Sequence, residues 1–313
     1  MAKDPVSLVP VSLALAGSDE ARFTAELGAS FERYGFAVLA DHGLDAGLVA
    51  RAYQAAQDFF ALPQNTKAAY LVPGGAGQRG YTPFGVETAK GHDHYDLKEF
   101  WHVGRELAAP TAHMPANLWP SEIADFQPAV HGLFQALDQM GKRVLQAIAL
   151  HLGLEEEFFD ASVREGNSIL RLLHYPPVPA DAGGIRAGAH EDINVITLLL
   201  GAEEAGLQVR DKESGDWIDI RPPEGALVIN IGDMLQRLTN HVLPSTSHRV
   251  INPRPERRGY ARYSLPFFLH FAPDYLIRTL PGCISAENPD RYPHPITAQA
   301  YLEERLRELK LKS

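Results

Sequence analysis

Cysteine is almost absent from this chain. Cys283 stands alone, so no internal disulfide can form and the fold must rest on buried apolar surface. Long hydrophobic runs are missing too. Nothing approaches the roughly 20 apolar residues of a membrane span, and no apolar stretch near the start carries a basic flank. Positive charge is in deficit, with 29 basic against 39 acidic residues and a formal net charge of −10. That balance argues against nucleic acid as the main partner. Arg254, Arg257 and Arg258 form a small basic cluster, but they follow a proline-rich turn and read as a solvated loop. There is no internal repeat and no low-complexity tract. A soluble cytoplasmic protein is the expectation.

What is present is enough apolar material for a substantial core, 45% of 313 residues. The order is helical, then β, then helical again. Phe23, Leu27 and Phe31 recur at four-residue spacing within Glu20 to Tyr34, which predicts an amphipathic helix. Phe36 to Leu39 reads as a short strand, and Gly47 to Phe60 as a second helix stopped by Leu62-Pro63. Residues 71–95 hold six glycines and little periodicity, which predicts a long loop. Glu122 to Leu152 is the longest helical stretch, suited to bracing a sheet, and Thr297 to Leu309 predicts a closing helix. Between them come strand-like runs: Ile169 to Tyr175, Ile193 to Leu200, Gly206 to Arg210, Trp217 to Ile220, Ala226 to Asp233, Thr246 to Ile251 and Arg262 to Phe271. Short strands at intervals of about eight to twelve residues indicate an antiparallel sandwich or barrel.

Within that β region lie His190 and Asp192, two residues apart, and His248 downstream. In an extended segment His190 and Asp192 share a face while Glu191 points away, and a later strand can bring His248 beside them. Two imidazoles and one carboxylate hold Fe(II) on one face of an octahedron and leave the other face open. Arg262 and Ser264, again two apart, can together grip a carboxylate on a neighbouring strand. His92 and His94 offer a rival pair, but their glycine- and charge-rich surroundings favour a solvated loop.

These residues resemble the isopenicillin N synthase-like branch of the 2-oxoglutarate and Fe(II)-dependent dioxygenases. The resemblance rests on His190, Asp192, His248, Arg262 and Ser264. It extends to the wording from Arg171 to Pro176, Gly206 to Val209, Asn230 to Asp233 and Thr239 to Val250. Upstream, Tyr34 to Val38 with His42-Gly43, Phe59 to Lys67, Gly80-Tyr81 and Asp96 to Glu99 match as well. The resemblance implies an α+β fold with a predominantly β core, a double-stranded β-helix (jelly roll) braced by helices. It implies an N-terminal region over 5–120, a bracing helix over 121–164, the jelly-roll core over 165–275 and a helical extension over 276–313, all in one compact unit. It further implies an oxidoreductase that uses Fe(II), 2-oxoglutarate and O2. Such an enzyme hydroxylates, desaturates or cyclises a small organic substrate and releases succinate and CO2. Arg262 and Ser264 then take the 2-oxoglutarate carboxylate, with Tyr175 beside it.

Two departures from the family's wording stand out. Leu173 occupies a position where many relatives carry an asparagine, so no amide is available there. Alternation puts Arg171 on the face of Leu173 and Tyr175, where it can anchor an acidic group of the prime substrate. His241 follows Asn240 where relatives often carry Asn-Gly, and reads as a turn residue rather than a fourth ligand. Tyr81, Phe84, Trp101 and His102 fall in the segment that lines the substrate pocket in relatives. Three other readings stay open at the level of sequence: an Fe(II) oxidase of this fold that does not use 2-oxoglutarate, a non-catalytic ligand-binding jelly roll, and a zinc hydrolase. The last leaves Arg262 and Ser264 unexplained.

Overall fold

The structure, a computed structural model, describes residues 8–73, 77–86, 97–177, 186–200, 206–252, 256 and 258–308. His92, His94, Arg254 and Arg257 lie outside the described residues.

After β1 (Pro10–Ser12), α1 (Glu20–Tyr34) begins where the Asp19 side chain accepts from the Arg22 amide, and buries Phe23, Leu27 and Phe31. It stops at Gly35, whose φ of 67° suits a residue without a side chain. A Cβ there would lie 2.4 Å from the Pro244 carbonyl oxygen. β2 (Phe36–Ala40) follows, then α2 (Ala46–Phe60), capped by Asp45, and α3 (Gln64–Ala68). β3 (Gly80–Thr82) and β4 (Glu99–Gly104) precede the long α4 (Phe126–His151) and the short α5 (Asp160–Val163). The core then comprises β5 (Ile169–Tyr175), β6 (Ala187–His190), β7 (Ile196–Leu200), β8 (Leu207–Arg210), β9 (Trp217–Asp219), β10 (Leu227–Ile231), α6 (Asp233–Leu238), β11 (His248–Val250), β12 (Arg262–Ser264) and β13 (Pro266–Leu269). A small ribbon of β14 (Leu276–Ile277) and β15 (Ile296–Thr297) leads into α7 (Ala298–Glu308).

The strands form two main sheets. The larger runs β1-β2-β10-β7-β13-β5-β4-β3, with β12 paired to β5, and the smaller runs β6-β11-β8-β9. The N-terminal strands thus extend both flanks of the major sheet. α4 packs along its outer face: Phe134 meets Phe267 edge-on at 5.1 Å, and a Cβ at Gly141 would lie 2.4 Å from Leu269.

Three sequence expectations change in detail. The run from Arg262 to Phe271 is interrupted at Leu265, beside Pro266, which has no N–H to donate, and β5 stays the partner in one register on both sides. Among the described residues β12 pairs with β5, while β13 lies between β5 and β7. The run from Ile193 becomes a strand only at Ile196, because Asn194 turns its amide onto the Ile196 carbonyl and Thr197 hydroxyl. The loop expected over 71–95 contains strand β3, paired with β4.

Candidate active site

Antiparallel register sorts the side chains into two faces, because residues directly opposite each other point the same way. Arg262 lies opposite Tyr175, Ser264 opposite Leu173, Phe100 opposite Leu173, and His102 opposite Arg171. These residues share the inner face of the major sheet. Glu99, His174 and Tyr263 alternate with them and point outward, toward the helices.

The potential metal ligands come from the smaller sheet. His190 and His248 are register partners on β6 and β11, their rings 4.4 Å apart. Asp192 follows β6, and its Oδ1 lies 3.9 Å from the Nε2 of each imidazole. One ligand atom from each of the three lies within 4.8 Å of the others. His190 Nδ1 meets the Gly188 carbonyl at 2.8 Å, and His248 Nδ1 meets the Thr246 carbonyl at 3.2 Å. A carbonyl can only accept, so each Nδ1 carries the proton and each Nε2 lone pair turns toward the centre. Desolvation by the surrounding residues, reinforced by His248, lowers His190 to about 4, although its side chain is 41% exposed.

Asp192 is buried, which by itself raises a carboxyl pKa. The two imidazoles and hydrogen bonds from Asn230 (2.8 Å) and Thr197 (2.5 Å) outweigh that effect and hold it below its ordinary value. Both hydrogen bonds end on Oδ2, and Oδ1 faces the imidazoles. Two imidazoles that present Nε2 and one ionised carboxylate fit Fe(II) of the 2-His-1-carboxylate type. Thr197 and Asn230 escaped the sequence reading. Their signal was the register of β7 with β10, which sequence alone does not supply.

On the opposite wall, Arg262 and Ser264 are both buried, and the Arg262 guanidinium lies 5.1 Å from the Tyr175 ring centroid. Arg186, on the neighbouring β6 approach, lies 6.0 Å from the same ring. Arg171 sits on the inner face as expected from alternation, its Nε 2.6 Å from His102 Nε2 and its guanidinium 4.3 Å from the Phe100 ring and 5.4 Å from Phe268. Phe268 and His270 follow at alternating positions of β13 and its extension. The His270 ring is buried and feels the Asp192 charge.

Tyr81 and Trp101 require a correction. Both point to the helix side: Trp101 packs against Phe59 at 4.7 Å and Phe126 at 5.3 Å, and the Tyr81 ring lies 5.8 Å from Phe59. The register Tyr81–Trp101–Leu172 puts all three on the outer face, so they belong to the core. Phe84 is 44% exposed on the segment beyond β3. His102 alone of that group shares the inner face with Arg171. His241 takes a turn role: it and Asn240 have φ of 68° and 51°, and its Nε2 meets the Tyr292 hydroxyl at 2.6 Å.

Comparison with known proteins agrees with this geometry. Residues 6–122 match the model of the non-haem dioxygenase N-terminal region, described from morphine synthesis, and residues 166–271 match the 2OG-Fe(II) oxygenase superfamily. A 2OG-Fe(II) oxygenase family protein from Caulobacter crescentus superimposes with a TM-score of 0.91 at 62% identity, covering 96% of this chain and 99% of that one. A full-length Neurospora crassa protein, solved in complex with alpha-KG, gives 0.85 at 30% identity, covering 98% of each chain. The 2-oxoglutarate-Fe(II) type oxidoreductase hxnY of Emericella nidulans is 36% identical over 298 residues, 90% of this chain and 83% of that protein. The chain belongs to the 2OG-Fe(II) oxygenase superfamily and is a 2-oxoglutarate-dependent dioxygenase working with Fe(II), 2-oxoglutarate and O2.

Proposed function

We propose that His190, Asp192 and His248 hold the iron, that Arg262 and Ser264 with Tyr175 receive 2-oxoglutarate, and that the prime substrate is a small organic acid met by Arg171. The convergence of the Asp192 Oδ1 on both Nε2 atoms carries the reading. Bound Fe(II) supplies O2 activation coupled to decarboxylation of 2-oxoglutarate to succinate and CO2. The protein's own groups do the rest. The Gly188 and Thr246 carbonyls hold the two imidazoles in the tautomer that presents Nε2. Asn230 and Thr197 keep Asp192 ionised. The planar Arg262 fork suits paired hydrogen bonds to a carboxylate, and the Ser264 hydroxyl adds a donor. Phe100, Leu173 and Tyr175 form an apolar cluster on the same face that excludes water from that contact.

Arg171 supports an acidic substrate because it places a guanidinium on the inner face of the sheet, beside the Phe100 and Phe268 rings. The Neurospora crassa relative has been captured with alpha-KG and thymine, a small planar molecule. The core over 165–275, extended by 5–120, braced by 121–164 and closed by 276–313, forms one catalytic unit in this reading. No helix among the described residues is long and apolar enough to cross a membrane, and we assign the protein to the cytoplasm, where a reducing setting keeps iron ferrous.

The test is anaerobic addition of Fe(II) and 2-oxoglutarate to metal-free protein. A visible charge-transfer band is expected, absent from His190→Ala. Tight binding of zinc alone, with no band and no 2-oxoglutarate turnover, would overturn the assignment. A metabolite screen for substrate-dependent succinate, with His190→Ala as the blank, then identifies the substrate. An Arg171→Ala variant that keeps wild-type affinity for that substrate would reject the acidic-group anchor.

A further inference from the structure

Behind the inner face, a buried cluster of charged and aromatic groups takes no part in the chemistry above. Glu99 on β4 accepts from Lys67 of α3 at 2.9 and 3.1 Å, and from the Tyr81 hydroxyl, and its Oε1 meets His174 Nδ1 at 2.7 Å. Lys67 also donates to the Phe60 carbonyl at 3.2 Å. Lys67, Tyr81 and Glu99 are all at most 6% exposed. Burial raises the Glu99 carboxyl, yet the hydrogen bonds from His174, Tyr81 and Lys67 bring it below its ordinary value, so the cluster carries a fixed negative charge at its centre.

The His174 ring is the outlet of this cluster. It packs against both Phe60 (5.3 Å, 29°) and Tyr263 (4.8 Å, 13°), whose own rings lie 6.4 Å apart. Tyr263 lies between Arg262 and Ser264 on β12, pointing outward while they point inward. β12 is three residues long, and among the described residues it pairs with β5. The tilt of so short a strand depends on what its outward side chain meets. Here the outward side chain meets an imidazole held by a buried carboxylate.

We propose that the Lys67–Glu99–His174 cluster is a positioning device for the co-substrate pocket: through the His174–Tyr263 stack it sets the tilt of β12 and so the aim of Arg262 and Ser264. The inference rests on the assignment of those two residues to 2-oxoglutarate. The sheet backbone of β4, β5 and β12 separates the cluster from the inner face, so its members are positioning residues and touch no reacting atom. Burying an ion pair seldom gains net stability over apolar packing; a defined geometry for β12 is what this one provides. The arrangement makes the N-terminal third of the chain, through Lys67 and Glu99, a determinant of 2-oxoglutarate affinity.

The experiment is calorimetric titration of the Mn(II)-loaded full-length protein with 2-oxoglutarate, alongside Mn(II) affinity and melting temperature. His174→Ala and Glu99→Gln are expected to weaken 2-oxoglutarate binding about three- to thirtyfold, the usual span for indirect coupling, with Mn(II) affinity unchanged. His174→Phe keeps the stack, loses the Glu99 hydrogen bond and should fall in between. A purely structural cluster would lower the melting temperature and leave 2-oxoglutarate affinity at the wild-type value in every folded variant, which overturns the proposal. Should His174→Ala or Glu99→Gln fail to fold, Tyr263→Leu with His174→Phe decides by the same readout. Arg262→Lys is the control: if it binds 2-oxoglutarate as the wild type does, the pocket assignment fails. If it weakens binding while the cluster variants do not, only the positioning role fails.

Discussion

Asp192 gives each carboxylate oxygen a separate task. Oδ2 is held by Asn230 and Thr197, and Oδ1 faces the imidazoles. Groups that orient a metal ligand typically matter by about 10–100-fold in metal affinity. Asn230→Ala and Thr197→Val should each weaken Mn(II) binding by that order in a competitive titration, with the fold intact by circular dichroism. His270 offers a different prediction. Burial takes it down to about 4 from an ordinary 6.5, against the pull of Asp192. Its proton therefore binds the unfolded chain first. The contribution to stability is complete above pH 6.5, declines as pH falls through the window to about 4, and declines no further below it. At about 1.4 kcal/mol per unit the full loss is about 3 kcal/mol. Denaturant unfolding of metal-free protein at pH 7 and pH 5 should show a fall that is smaller in His270→Asn. An equal fall in both proteins would remove His270 from the acid response.

Among the elements, α4 shows how a helix braces a sheet through its smallest residue. Gly141 lets the helix approach β13 so closely that an added Cβ would press on Leu269 at 2.4 Å. Gly141→Leu should cost about 1–3 kcal/mol of unfolding free energy, the range for overpacking. Trp101→Ala, which empties the space between α2, α4 and β4, should cost about 3–5 kcal/mol. Chemical denaturation checks both. The same elements show what the sequence disclosed. α1 was legible from end to end because Asp19, Gly35 and the stripe of Phe23, Leu27 and Phe31 are local signals. The inner or outer aspect of β4 was not. Trp101 and His102 are neighbours in sequence, and only the pairing with Arg171 and Leu172 of β5, distant along the chain, decides which of them enters the barrel.

At the scale of the whole molecule, the proposed metal and 2-oxoglutarate sites together draw on both sheets, so ligands that bind them would bind only the folded chain. Mn(II) and 2-oxoglutarate, each at about 100 times its dissociation constant, should add about 2.7 kcal/mol apiece to the unfolding free energy. A thermal shift present with Mn(II) in the wild type and missing in His190→Ala checks this. The convergence of His190, Asp192 and His248 was readable from sequence because they are chemically distinctive, with His190 and Asp192 two residues apart. The cluster of Lys67, Glu99 and His174 was not, since its members are scattered along the chain and mean nothing until folded. One further consequence follows from His190 and His248 facing each other across β6 and β11. Among the described residues β6 is the outer strand of the smaller sheet. A slip of one residue would turn His190 to the other side of the sheet. If these residues hold the iron as proposed, its capture would therefore proofread strand alignment. Misregistered chains cannot take up the ion, and slow amide exchange in β6 should appear only as the metal is loaded.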